Sequence, residues 1–105
     1  MFLDTAEIVV DADVAATNAI HAAIAAADAI CCIAIRQRSG DANHSAAVEL
    51  LRKVDPKLAS LLARSLNRKT QAAYELRDIS KKDASACIRQ ATALVEAART
   101  RIIGT

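Results

Sequence analysis

S-K-K-D-A-S-A-C-I-R-Q-A-T-A-L-V-E-A-A-R-T-R-I (residues 80–102) is the stretch that decides the fold. Its apolar residues Ala84, Cys87, Ile88, Ala91, Leu94, Val95, Ala98 and Ile102 recur at three- and four-residue spacing. That spacing follows the 3.6-residue turn and draws one apolar stripe along a helix. Ser80-Lys81-Lys82-Asp83 caps its start, and Gly104 lies beyond its end.

The same signals recur towards the N-terminus. Asp55-Pro56 is an N-cap followed by a proline at the first helical position. It predicts a helix from Pro56 to about Leu76, with a kink near Asn67. Asp41 can cap a helix from about Ala42 to Lys53. From Asp11 to about Arg38 the pattern is strongly helical, and Ser39-Gly40 ends it. Asp4-Thr5-Ala6-Glu7 has the spacing of a capping box. The β-branched Val9-Val10 before Asp11 suggests a break, which leaves room for a short extra N-terminal helix. The connections are short, so neighbouring helices are expected to be antiparallel. The expectation is an all-α, up-down four-helix bundle forming one domain over residues 1–105.

Composition agrees. The 105 residues are 53% hydrophobic but only 2% aromatic, so the core must be built from Ala, Leu, Ile and Val. Two glycines and one proline are too few for a loop-rich or many-stranded fold. The alanines of the first helix (Ala22, Ala23, Ala25, Ala26, Ala27, Ala29) permit close helix approach, either inside the bundle or between copies.

Charge is unevenly spread. Residues 1–35 carry five acids and no Lys or Arg; residues 36–105 carry seven acids and all fourteen bases. Attraction between helices of one fold explains this asymmetry, and RNA or nucleotide contact by the basic part is the alternative. The bases are dispersed and no aromatic stacking platform accompanies them.

Cys31, Cys32 and Cys87 are odd in number and lack C-x-x-C spacing. Free, mostly buried thiols in a reducing cytoplasm are expected, with no metal and no cofactor. Residues 12–35 are nearly all apolar, but Asp13, Asn18, His21 and Asp28 interrupt them, so a membrane span is not expected. Phosphate-binding, dinucleotide, zinc-protease and serine-hydrolase motifs are absent.

Three ionisable residues fall on apolar stripes. Asp28 sits in the stripe Ile20, Ile24, Ala27, Cys31 and Ile35. Lys69 sits in the stripe Leu58, Leu62, Leu66, Ala73 and Leu76. His44 falls three residues before Ala47 and seven before Leu51. A buried lone charge is too costly to keep, so Asp28 and Lys69 are expected to pair, with His44 joining the same buried polar network. Tyr74 can offer a hydroxyl from the flank, and Arg68 is expected to point outward.

Three segments then carry a resemblance: A-A-A-D-A-I-C-C (25–32), R-S-G-D-A-N-H-S-A-A-V-E-L-L (38–51) and, after Asp55-Pro56-Lys57-Leu58, R-K-T-Q-A-A-Y-E (68–75). They resemble small bacterial helical domains of the HEPN superfamily, over most of the chain. The resemblance implies a bundle that often forms a homodimer. It implies settings such as toxin–antitoxin pairs with a nucleotidyltransferase partner protein, stress response and phage defence. Active members are metal-independent endoribonucleases with an Arg followed four to six residues on by His. At the equivalent place this chain has Arg68 with Tyr74, not His. Arg38 and His44 have the spacing, but across the Gly40 loop. The candidate catalytic residues are therefore His44, Arg38, Arg68 and Tyr74. The expected function is a non-catalytic or weakly catalytic interaction module, with an endoribonuclease as the alternative.

Overall fold

The computed structural model describes the backbone of residues 2–39, 44–75 and 78–104, and side chains within these spans from residue 11 onward. Four helices follow in order: α1 (Phe2–Ile35), α2 (His44–Val54), α3 (Pro56–Tyr74) and α4 (Lys81–Gly104). No strand occurs among the described residues, and the chain is an all-α four-helix bundle.

The caps read in sequence hold α3 and α4 in place. Asp55 adopts an extended backbone, and its Oδ1 accepts from the N–H groups of Lys57 (3.0 Å) and Leu58 (3.2 Å). Ser80 Oγ accepts from the N–H of Asp83 at 3.0 Å. The cap expected of Asp41 lies outside the described residues.

α1 differs from expectation at both ends. It runs unbroken through Val9-Val10, so there is no separate N-terminal helix there. Its 34 residues rise about 51 Å at 1.5 Å each, which matches the 51 Å long axis of the molecule. It also stops at Ile35 rather than Arg38. Arg36 turns left-handed (φ 56°) while its N–H closes on the Cys32 carbonyl at 3.0 Å. A single αL residue ends the helix without needing Gly40.

That early stop changes the topology. Ser39 returns beside Asp28, to which both its N–H (3.0 Å) and its Oγ (2.7 Å) donate. The chain next reaches His44, which shares a depression with Ile20. α2 therefore starts alongside the middle of α1 and runs parallel to it, not antiparallel. The expected antiparallel order does hold between α2 and α3, where His44 to Glu49 line a depression with Thr70 to Ala63. It holds again between α3 and α4, where Ser65 meets Gln90 and Arg68 meets Asp83. α4 consequently runs parallel to α1: Asp11, Ala15 and Ala22 lie against Lys81, Ile88 and Val95 in that order.

The core uses small residues. α1 buries Ala12, Ala16, Ala19, Ile20, Ala23, Ala26, Ala27, Ile30 and Cys31. Leu51, Leu62, Leu94 and Cys87 meet them from the other three helices. α1 packs most extensively on α4, as an alanine surface permits. The window Asp11–Ile35 is long and apolar enough to cross a membrane (mean hydropathy 1.8), and a third of it is buried within this fold.

Two helix-end substitutions should move stability in opposite directions. Arg36→Gly removes a left-handed L-residue and should stabilise the fold by about 1 kcal/mol. Asp55→Ala removes the α3 cap and should cost about 1 kcal/mol. Urea unfolding followed by circular dichroism reads both; equal midpoints for the two variants and the wild type would contradict the cap geometry.

Candidate functional site

The ionisable residues on the apolar stripes do not converge. Asp28 and Lys69 are both half-buried, as their positions predict, but they do not pair. Asp28 is taken by Ser39 as the chain doubles back along α1. Lys69 Nζ donates instead to Thr17 Oγ1 at 2.6 Å, more than two turns nearer the start of α1. Parallel α1 and α2 are the cause: the returning segment 36–39 reaches Asp28 first. The ammonium stays half-buried, with its apolar stem among neighbours and its head on one hydroxyl.

His44 is exposed rather than inward. It opens α2 and borders a depression of about 330 Å³ with Ile20, Leu66, Lys69, Thr70 and Ala73. So the structure does bring His44 and Lys69 to one hollow, and leaves Asp28 out of it. Of the other candidates, Arg38 is exposed and Tyr74 is 88% exposed on the last turn of α3. His21, on α1, is exposed too.

Arg68 overturns its expectation. Its guanidinium pairs with Asp83 Oδ1 at 3.0 Å across α3 and α4, with side chains 36% and 15% exposed. Its Nε is buried without a partner among the described residues. One turn earlier Ser65, fully buried, donates its hydroxyl to Gln90 Oε1 at 2.5 Å. The Ser65 carbonyl faces Cys87 Sγ at 3.9 Å. These residues make a polar seam between α3 and α4 that sequence reading missed. The missed signal was a shift of the α3 stripe: its buried row is Ala59, Leu62, Ser65 and Ala72, not the row through Leu58, Leu66 and Ala73. A satisfied buried hydroxyl fixes the register of two helices, because sliding either one strands a polar group.

The thiols divide. Cys31 and Cys87 are buried and Cys32 is exposed, so the thiols are free and mostly buried, as expected. Burial pushes the Cys31 thiol up, helped by the Asp28 charge and opposed by Arg101. Burial likewise pushes Cys87 up, against the lowering effect of Arg68. Among the described residues no three His, Cys, Asp or Glu side chains gather as a metal-binding group.

An apolar concavity lies elsewhere, along the outer face between α1 and α4. Ala15, Asn18, Ala19 and Ala22 on one side and Ile88, Ala91, Thr92 and Val95 on the other line about 430 Å³. Ile88 (46% exposed) and Ile102 (55%), expected to face inward, open onto this outer side of α4. Val14, Ile33 and Ile35 of α1 and Ile103 of α4 are exposed as well.

Two measurements check this arrangement. In a double-mutant cycle, Asp28→Ala and Lys69→Met should be additive within about 0.5 kcal/mol, as separate sites are; a larger coupling would restore the ion pair. Iodoacetamide at neutral pH should label Cys32 and spare Cys31 and Cys87. Because both buried thiols titrate above their ordinary 9.0, the unfolded chain loses those protons first. Stability should therefore be intact below that pH and fall as pH rises through the folded-state values.

Compared with protein-family models, with curated proteins and with solved structures, the chain matches none.

Proposed function

We propose that this chain is a HEPN-like helical interaction module that acts as a homodimer in the bacterial cytoplasm rather than as a catalyst. The observation that carries the reading is the outer face of α1 and α4. Six of the seven large hydrophobic side chains exposed among the described residues (Val14, Ile33, Ile35, Ile88, Ile102 and Ile103) lie on those two helices. Ile88 lines an apolar groove between the two helices, and Ile33 and Ile102 continue its rows at helical spacing, the pattern of a surface that another helical protein covers. The polar groups support it from the other direction. Arg68 is committed to Asp83, Asp28 to Ser39 and Lys69 to Thr17, so each performs a packing task. A toxin–antitoxin, stress or phage-defence setting, with a nucleotidyltransferase as partner protein, fits such a module.

The second reading is a metal-independent endoribonuclease, favoured by His44 and Lys69 at one open hollow. His44 would take the proton of a ribose 2′-hydroxyl. The 2′-oxygen would attack the adjacent phosphorus to form a 2′,3′-cyclic phosphate, the departing 5′-oxygen would take the proton back from the His44 imidazolium through water, and Lys69 would offset the negative charge on the non-bridging phosphate oxygens. RNA or nucleotide binding by the basic segment, without cleavage, is the milder form of this reading.

Light scattering on the purified protein should return twice the chain mass. Single-stranded RNA incubated with it in EDTA should stay intact, for wild type and for His44→Ala alike. Cleavage that vanishes in His44→Ala would replace the proposed function with the second reading.

A further inference from the structure

We propose that the end of the bundle where α1, α2 and α4 terminate docks on a membrane surface rich in anionic phospholipid. Its isoleucines enter the headgroup layer, and its arginines and lysines hold the phosphates. This goes beyond the interaction reading above and does not depend on it, because Ile35, Ile103 and the bases of α2 and α3 lie off the groove between α1 and α4.

The topology gathers three helix ends and one helix start in one place. α1 and α4 run parallel, from Asp11 against Lys81 to Ala22 against Val95, so both terminate here. α2 runs the same way and hands the chain to α3 at Asp55. α3 then runs back, and its Lys69 meets Thr17. Pro56 lies thirteen residues before Lys69, about 20 Å at 1.5 Å each. That sets the start of α3 close to the level of Ile30 on α1.

This placement concentrates bases and isoleucines together. Arg36 and Arg38 leave α1, and Arg52 and Lys53 close α2. Lys57 lies in the first turn of α3, and Arg99 and Arg101 lie near the end of α4. All but the half-buried Arg101 are exposed. The nearby acids among the described residues are occupied. Glu49 pairs with Arg52 at 3.5 Å and Glu96 with Arg99 at 3.6 Å, Asp55 caps α3, and Asp28 holds Ser39. Beside these bases stand the exposed Ile33, Ile35, Ile102 and Ile103, the last of them 79% exposed. The opposite end sets Asp11, Asp13, Asp78 and Asp83 beside Lys81 and Lys82, and its Arg68 is taken by Asp83.

The mixture decides the partner. Aliphatic side chains set among bases match the boundary between headgroups and acyl chains. There isoleucine meets hydrocarbon, and the long stems of arginine and lysine reach back to phosphate. Ile33 and Ile35 are two residues apart, about 200° around α1, so they point to different sides of one tip. A fluid surface closes around both, whereas a folded protein needs a socket shaped to a convex end 27 × 21 Å across. RNA would use the bases and leave the isoleucines in water. Neither aromatic residue, Phe2 or Tyr74, lies at this end for a nucleobase to stack on.

Flotation with phosphatidylcholine vesicles, with and without phosphatidylglycerol, reads the docking, and circular dichroism checks that each variant is folded. Wild type should float with the anionic vesicles at low salt, stay behind with phosphatidylcholine alone, and be released as salt rises. Arg38→Gln with Lys53→Gln should weaken binding about 25-fold, from about fivefold for each charge. Ile35→Ser with Ile103→Ser should weaken it at least about tenfold. Lys81→Gln with Lys82→Gln removes as much charge from the opposite end and should change binding by less than about twofold. Wild type that ignores anionic vesicles overturns the proposal, and so do equal losses from the two charge-removing pairs. Vesicle binding indifferent to the isoleucine pair, with single-stranded RNA competing for the same bases, makes this end a nucleic-acid surface and overturns it too. Anionic-vesicle binding with the expected losses upholds it whether the chain is monomeric or dimeric.

Discussion

Everything in this bundle depends on the closeness of α1 to α4. With almost no aromatic side chains, the chain cannot fill a thick core. It brings backbones together instead, laying the row Ala12, Ala16, Ala19, Ala23 and Ala26 under α4. Each alanine removes little apolar area from water, so stability comes from many small burials and from dispersion between close helices. A few larger side chains, Ile20, Ile30, Leu51, Leu62 and Leu94, fill what the alanines leave. The same smallness has a cost on the outside. Two helices that touch through alanine leave a shallow trough where their outer faces diverge, and α2 and α3 pack on the opposite side.

A core of this kind is weakly self-specifying, since alanine rows slide past each other with little penalty. Register must come from elsewhere. Ser65 to Gln90 and Arg68 to Asp83 supply it between α3 and α4, and Lys69 to Thr17 between α3 and α1. Each bond is modest in net free energy, but leaving its buried partner unsatisfied costs more than the bond itself is worth. The polar residues act less as added stability than as a penalty on every wrong alignment.

Much of this was legible in the sequence. The all-α class followed from composition and spacing, and two helix starts followed from Asp55-Pro56 and Ser80. What could not be read were relations between distant segments. Nothing local announces that Arg36 turns left-handed, that α2 runs parallel to α1, or that Asp28 meets Ser39 instead of Lys69. The buried row of α3 sits one position from the sequence stripe on either side of Leu62, because Leu58 and Leu66 outshine Ala59, Ser65 and Ala72 by size. Burial there follows geometry rather than hydrophobicity, so a fully buried serine escaped notice while a half-exposed leucine drew it. His44 differs in another way: seven residues before Leu51 is nearly two turns, yet the ring is exposed at the first residue of α2, where it borders a hollow rather than the core.

The outward turn of Ile88 and Ile102 carries this furthest. Their spacing belongs to the α4 stripe, and in an isolated chain that stripe is wider than α1 alone can cover. A helix that is apolar over more surface than its own fold buries has either been left exposed at a cost in solubility or is covered by something else. Here the uncovered part is continuous with the groove that Ile88 lines, so the apolar stripe of α4 reaches past the surface its own bundle buries. The proposed interaction module would use that excess: a partner helix laid on the trough would take from water what α1 leaves uncovered.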